Sequence, residues 1–382
     1  MNSTKLSDIK DTFDARRPLV LLDDSSAPER AVLCLPAALC SPGPLNEMLE
    51  LSGGGNVQCA LSPARADAFM LEAMSNSRRT PGNHLAPVAR ELVSVEAREG
   101  VTTGISVSDR SKTLIELAVD CPQVNGIVKP GHVFPIRTRE GGVLVRGSLA
   151  EAALDVCKLS GYSDACCLID IHNAQGEYLS GSQLIEFISK YKLHYTTLHE
   201  LVSFRLANEE LVYRVADARM PNRFGGEMRS ILFRSDIFQG DHLALVKGEI
   251  TPESTVVVRV QPERTFEDVF GSLPNKDGIN AGPRSIIDAS LQSIGSAQCG
   301  VFVYLRRPDS GPVQRELLGE LFSTPSKGAM MREFGLGAQI LRNLGVRKIS
   351  LLTASPSPLI GIDAYGLEIL SYQPLFTQEK KT

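Results

Sequence analysis

No Cys-x-x-Cys pair occurs in this 382-residue chain, and no cysteine at all lies between Cys167 and Cys299. Seven of the eight cysteines precede residue 168, and most sit in apolar surroundings such as "AVLCLP" and "DACCLID". That pattern argues against a disulfide framework and for buried thiols. Long apolar runs are missing too: none approaches the ~18 residues of a membrane helix. The polar start "MNSTKLSDIKDTF" lacks the apolar core of a signal peptide. Charge of one sign is not in excess, with a formal net charge of −4, so neither a nucleic-acid surface nor an acidic-lipid surface is implied. These absences predict a soluble, cytoplasmic protein with no nucleic-acid or membrane partner.

What is present is a globular composition, 43% hydrophobic and 22% charged, in a chain long enough for two domains. Strands and helices alternate. "RPLVLLD" (17–23), "ACCLIDIH" (165–172), "LALVKG" (243–248), "TVVVRV" (255–260), "GVFVYL" (300–305) and "ISLLT" (349–353) read as strands. "GSLAEAALDVCKLSG" (147–161) reads as a helix, with Ser148 and Glu151 in capping-box spacing and Gly161 as its stop. "SQLIEFISKYK" (182–192) and "REFGLGAQILRNLG" (332–345) read as further helices, residues 77–90 as a loop, and 205–226 as a helix end followed by a connector. The expected fold is α/β (α+β) in two domains, 1–205 and 206–382.

Several stretches are more specific. "EAREGVTTGISVSDR" (96–110) and "KPGHVFPIRTREGGVLVRG" (129–147) resemble signature segments of 3,4-dihydroxy-2-butanone 4-phosphate synthase. "FRSDIFQGDHLALVKGEI" (233–250), "DVFGSL" (268–273) and "FGLGAQILRNLGVRKISLLT" (334–353) resemble GTP cyclohydrolase II. Their order matches the fused bifunctional riboflavin-biosynthesis proteins, from about residue 17 to about 375.

The resemblance implies a first site that rearranges ribulose 5-phosphate with a divalent cation, carboxylates that hold it and move protons, and cations around the phosphate. The family's acidic run, Asp-Asp-x-x-Arg-Glu-x-x-Gly-Asp, reads here "DDSSAPERAV". Asp23 and Asp24 remain, but Ala27 and Pro28 replace the Arg-Glu pair and Val32 the last acid. The signature Arg-x-Gly-His-Thr-Glu reads "RGSLAE": Arg146 and Glu151 persist, Leu149 replaces the His and Ala150 the Thr, and Arg146 and Gly147 fall among the substrate-binding positions. Glu151 is open to either a catalytic or a capping-box reading. His132 matches an essential His of the family, and Asp170 stands where it has a catalytic Glu. Thr103 and Arg137 fall in substrate-binding positions.

For the second site the resemblance implies a zinc held by three thiolates with one open position. One family Cys precedes "DVFGSL" and a Cys-x-Cys follows it. Here Arg264, Asn275 and Asp277 occupy those places, and Cys299 reads as core. "RRPDSGPVQRE" (306–316) replaces the family's Gly-Arg-Gly phosphate region, Met330 its acid, and Pro358 falls near its late Lys. Arg306 and Arg307 read as a phosphate-attracting or a solvated pair. Arg332 matches the family's nucleophilic Arg, and Arg259, Glu263 and Thr353 hold binding-type positions.

With ligands lost from both sites, no metal cofactor is expected. The resemblance implies a homodimer through residues 1–205, and the lost ligands predict that it no longer runs the family's ordinary reactions. It would bind a small phosphate or flavin-related ligand, or an active riboflavin-pathway enzyme, as a pseudoenzyme. The alternatives are altered chemistry on a pentose phosphate in the first domain, and weak residual synthase activity.

Overall fold

The computed structural model describes residues 6–24, 29–74, 91–224, 226–237, 240–264, 268–269, 283–306, 327–353 and 365–375. Two units divide between Val202 and Ser203, each built on one seven-stranded sheet.

The first unit runs α1 (Leu6–Asp14), β1 (Leu19–Asp23), β2 (Arg30–Pro36), α2 (Pro42–Ser52), β3 (Gln58–Leu61), α3 (Pro63–Ala68), β4 (Val95–Ala97), α4 (Val107–Leu117), β5 (Ile127–Arg137), α5 (Leu149–Leu159), β6 (Ala165–Asp170), α6 (Gly181–Tyr191) and β7 (His194–Thr197). The sheet order is β4-β5-β3-β6-β2-β1-β7. β1, β2 and β6 are unbroken apolar runs because both faces of the central strands are covered. Cys34, Cys40, Cys59, Cys157, Cys166 and Cys167 are buried and Cys121 is exposed. Burial pushes the Cys59 thiol well above its usual range, which is how an inert core thiol behaves.

Pairing directions decide which residues meet. β3 runs parallel to β5 and antiparallel to β6, and β2 runs antiparallel to both β6 and β1. One end of the sheet therefore collects the ends of β1, β4 and β6 with the starts of β2, β3 and β5. The other end carries Leu61 opposite Arg137 and Ala165.

Helix α7 (Leu198–Asn208) carries the division between the units. The second unit continues with β8 (Tyr213–Asn222), β9 (Gly226–Ser235), β10 (Gly240–Lys247), β11 (Thr255–Pro262), α8 (Pro283–Ser296), β12 (Gly300–Leu305), α9 (Lys327–Asn343), β13 (Lys348–Thr353) and β14 (Glu368–Pro374). The order is β14-β13-β11-β12-β10-β9-β8. One face packs a cluster of Met228, Leu245, Leu291, Ile294 and Phe302. Gln339 of α9 ties the incoming chain, donating to the Leu206 and Glu209 carbonyls and accepting from Leu211 N–H. β11, β12 and β13 are mutually parallel, so their carboxyl ends open together.

Two expectations change. The helix end expected in 205–226 is that of α7, but the connector after it is the ten-residue strand β8, paired antiparallel with β9. It is exposed along almost its whole length, so it lacks the apolar alternation that marks a half-buried strand. The capping box is not formed either. Ser148 is the N-cap of α5 without a side-chain cap bond, and its backbone N–H donates to the Arg146 carbonyl instead. Residues 77–90 lie outside the described residues.

Candidate functional site

In the first unit, the residues singled out in the sequence fall at opposite ends of the sheet. At one end lie Asp23, Asp24, His132 and Asp170. Asp170 is opposite Val32 across β2–β6. Its Oδ1 accepts from Arg30 Nη2 at 3.1 Å, and its Oδ2 from Gln58 Nε2 at 3.0 Å. Arg30 pairs in register with Asp23 and lays its guanidinium over the Tyr178 ring, 4.3 Å from the centroid. Tyr178 in turn packs against His172, with centroids 5.1 Å apart and the ring planes tilted by 30°. Asp24 Oδ1 accepts from the His199 N–H at 3.3 Å.

His132 lies two inter-strand spacings from β6, roughly 10 Å. Its Nδ1 bonds Glu96 on β4, and the imidazole is half-exposed. The 102–104 loop closes over this pair because Asp109 Oδ2 accepts from Thr102 N–H, Thr102 Oγ1 and Gly104 N–H. Gly104 has φ +76°, and a Cβ there would collide with the Glu96 carboxylate, so only glycine lets the loop approach. Thr103 is thereby exposed beside the His132–Glu96 pair.

At the other end lie Arg137, Arg146, Gly147 and Glu151. Arg137 sits level with Ala165, five residues from Asp170 and so roughly 16 Å along the strands. It forms a two-point pair with Asp67 at 2.6 and 2.9 Å. Glu151 is fully buried. Its carboxylate accepts from Ser148 Oγ, from Arg146, and from Arg139 N–H at 3.1 Å. Arg146 also donates to the Arg137 carbonyl at 3.1 Å. Within the chain this group binds itself and does not face Asp170.

The divalent cation of the synthases must fit what remains at the Asp23 end. Ala27 and Pro28 lie outside the described residues, while Val32 and Leu149 offer no donor atom. Arg30 puts a guanidinium on the Asp170 carboxylate, whose oxygens a cation would need. This donor set does not suit Mg²⁺, and among the described residues no group of three or more His, Cys, Asp or Glu is arranged for a metal.

In the second unit, the carboxyl ends of β11, β12 and β13 gather Arg259, Gln261, Glu263, Arg264, Asp268, Tyr304, Arg306 and Thr353. Arg259 donates to Gln261 Oε1 from Nε and Nη2 at 3.2 and 2.6 Å, and from Nη1 to the Leu352 carbonyl at 3.2 Å. Burial pulls its guanidinium down to about 10, with the Arg264 charge pulling the same way, so it stays cationic at neutral pH. Asp268 Oδ2 accepts from Arg264 N–H and from the Tyr304 hydroxyl, each at 2.7 Å. Arg306 approaches Glu263 at 3.8 Å.

A thiolate zinc does not fit this end. The resemblance sets Arg264 at the first ligand position, and a guanidinium has donors but no lone pair to give. Cys299 precedes β12 at the opposite end of the parallel strands, its thiol 3.6 Å from the Thr255 carbonyl. A cavity of about 450 Å³ opens at that opposite end, lined by Glu249, Glu253, Gln298 and Cys299 among others, and none of the sequence-predicted site residues lines it. Asn275, Asp277, Arg307 and Pro358 lie outside the described residues. Arg332 is on α9, with its side chain outside them, as is that of Met330.

The sequence reading missed Arg30, Gln58, Glu96, His172 and Tyr178 in the first unit, and Gln261, Asp268 and Tyr304 in the second. One usable signal existed: Arg30 is a cation inside a stretch whose family pattern is acidic.

The sequence model of 3,4-dihydroxy-2-butanone 4-phosphate synthase matches residues 7–204, and that of GTP cyclohydrolase II matches residues 213–374. A riboflavin biosynthesis protein RibBA of Endomicrobium trichonymphae is 30% identical, over 96% of this chain and 91% of that one. A 3,4-dihydroxy-2-butanone 4-phosphate synthase of Photobacterium phosphoreum is 30% identical, over 97% of this chain and 99% of that one. Among solved structures, RibBX, a two-domain 3,4-dihydroxy-2-butanone 4-phosphate synthase from A. baumannii, superposes with a TM-score of 0.78 at 26% identity, covering 97% of this chain and 99% of that one. With both family models matched in order along a fold shared end to end, this chain belongs to the riboflavin-biosynthesis family that joins a 3,4-dihydroxy-2-butanone 4-phosphate synthase domain to a GTP cyclohydrolase II domain.

Proposed function

We propose that this protein is a divergent member of the family that binds a small phosphorylated or flavin-related ligand, as a regulator or scaffold of flavin synthesis, without the family's metal-dependent reactions. The observation that carries this reading is the Arg30–Asp170–Gln58 contact. A carboxylate that moves protons must present an oxygen to the substrate within hydrogen-bond reach. Both Asp170 oxygens already accept from protein donors, and the side chain is one methylene shorter than the Glu it replaces, when a displacement of about 1 Å can cost ~100-fold. The Arg30 guanidinium supplies in the same place a fixed positive charge and, with Tyr178, a flat stacked surface, which suits an anionic or planar ligand better than a metal-bound sugar. In the second unit Arg264 takes a thiolate's place, which argues against zinc-activated opening of GTP. A homodimer through residues 1–205, with an active pathway enzyme as a further partner, completes the reading.

A second reading has an observation in its favour. Relatives of full-length coverage carry the names of synthases, one of them a two-domain synthase, so weak synthase activity in the first unit, or related chemistry on another pentose phosphate, is the rival. Formate release from ribulose 5-phosphate with Mg²⁺, and from GTP with Zn²⁺, separates the two. The first reading expects neither above background. Formate from ribulose 5-phosphate that disappears in His132→Ala would establish the rival, and turnover of GTP would overturn the reading of the second unit.

A further inference from the structure

Strand β8 ends the second sheet and is exposed along almost its whole length. We propose that its outer edge is a self-association surface, on which β8 of a second copy of this chain pairs antiparallel about a two-fold axis at Ala218.

The backbone carries the case. No further strand covers this edge among the described residues, and a row of N–H and C=O groups along an edge is a template for another strand. Pro221 shows which groups face outward. It has no N–H, and a proline within a sheet stands with its nitrogen turned away from the neighbouring strand. Register with β9 is unbroken from Ala216 to Asn222. Asp217 and Arg219 therefore share the parity of Pro221 and aim their backbone groups away from β9. A two-fold at Ala218 sets Asp217 opposite Arg219 of the second copy on each side of the axis, and each such pair exchanges two backbone bonds. On the axis Ala218 meets its own copy, a small side chain where the strands come closest.

The side chains select a second copy over an unrelated strand. Arg229 pairs with Asp217, and Arg219 approaches Glu227 at 3.3 Å through Nε. These two ion pairs alternate in sign on one face of the β8–β9 ribbon. Two-fold pairing continues the alternation: each Asp217 comes beside an Arg219 of the copy and keeps its own partner, since a carboxylate accepts several bonds and a guanidinium donates five. Moving the axis to Asp217 or to Arg219 would set like charges opposite each other, which is destabilising. The bulge between Arg214 and Ala216 bounds the pairing on one side, and Pro221 bounds it on the other. Both are devices that keep an edge strand from pairing along its full length, and they leave residues 216–220 between them. A pairing this short lies well below the ~1,000 Å² of a stable interface, so it is weak alone and must be trapped to be seen. Added to a dimer through residues 1–205 it would link pairs into larger assemblies. It does not depend on which reading of the first unit holds.

The test is disulfide trapping of the full-length protein at high concentration with diamide as oxidant. Cys121 is exposed, so every variant also carries Cys121→Ser. Ala218→Cys should give a covalent dimer, because facing residues of an antiparallel pair lie within disulfide reach. Val215→Cys, three residues from the axis and so roughly 20 Å from its copy, should give none. Adding Asp217→Arg to Ala218→Cys should cut the yield about fivefold or more, and adding Arg219→Asp as well should restore it. Melting temperatures within a few degrees of the parent will show that folding is not the cause, as all these positions are exposed. No dimer from Ala218→Cys, an equal yield from Val215→Cys, or no recovery in the double charge exchange would each overturn the proposal.

Discussion

At the residue scale, Glu151 shows how one side chain can fit two explanations until its contacts are known. Its spacing from Ser148 was compatible with helix capping or with catalysis. It does not close a capping box; it is a fully buried carboxylate enclosed by Ser148, Arg139 N–H and Arg146. Removing one partner of a buried ion pair strands the other, which costs about 3–5 kcal/mol. Glu151→Ala should therefore lose most of that amount in urea denaturation. Arg137→Ala should change stability by less than about 1 kcal/mol, because Arg137 and Asp67 are 34% and 67% exposed and exposed pairs contribute little. Similar small losses for both variants would mean that Glu151 is not structural. The Arg30–Asp170 and Gln58–Asp170 contacts were not readable in the sequence for a plain reason. They join residues 140 and 112 positions apart, and only the order β3-β6-β2 makes them neighbours.

At the scale of elements, the long apolar strands and amphipathic helices were legible because burial imposes their periodicity. The sequence placed "GVFVYL" on 300–305, and β12 spans Gly300–Leu305. β8 was not legible, since its ladder rests on backbone bonds that any polar sequence can make. β10 carries a consequence visible only in three dimensions. His242 points into the core opposite Phe233, 1% exposed, and neither ring nitrogen has a partner among the described residues. Burial pulls its pKa down from 6.5 to about 4, with Asp241 opposing and Arg306 assisting. The unfolded chain thus takes up a proton between pH 6.5 and 4 that the folded chain refuses, so stability falls as pH drops through that window. At 1.36 kcal/mol per unit the loss approaches about 3 kcal/mol. Asp268, whose pKa is raised, contributes with the opposite sign, so the comparison must be with His242→Leu. That variant should lose less stability between pH 7 and pH 4.5 than the parent in thermal unfolding. Parallel pH curves would show that His242 is hydrated or paired.

At the scale of the whole molecule, the two-unit α/β organisation was legible from the order of two sets of motifs, while the separation of the first site's residues was not. Asp23, His132 and Asp170 collect at one end of the first sheet, and Arg137, Arg146 and Glu151 at the other, so a single chain does not bring them together. The edge, which carries no further strand among the described residues, offers a reason to pair. β4 is a terminal strand, and beside it stand Met70, Met74 and Ile105, which are 65%, 52% and 58% exposed. Lys129 of β5 bonds the Met70 carbonyl, and Gly104, next to Ile105, packs on Glu96 of β4, so Met70 and Ile105 lie along this edge. Large apolar groups gathered at one surface mark an interaction face more often than scattered ones do, and a two-fold contact there would bury the patch against its own copy. Light scattering at micromolar concentration should give twice the chain mass, and Ile105→Asp should shift the population toward the single chain while leaving the melting temperature within a few degrees. A single-chain mass for the parent would remove the homodimer. A dimer indifferent to Ile105→Asp would move the contact to another face, and Thr103 and His132 would then lie open to solvent rather than at a shared boundary.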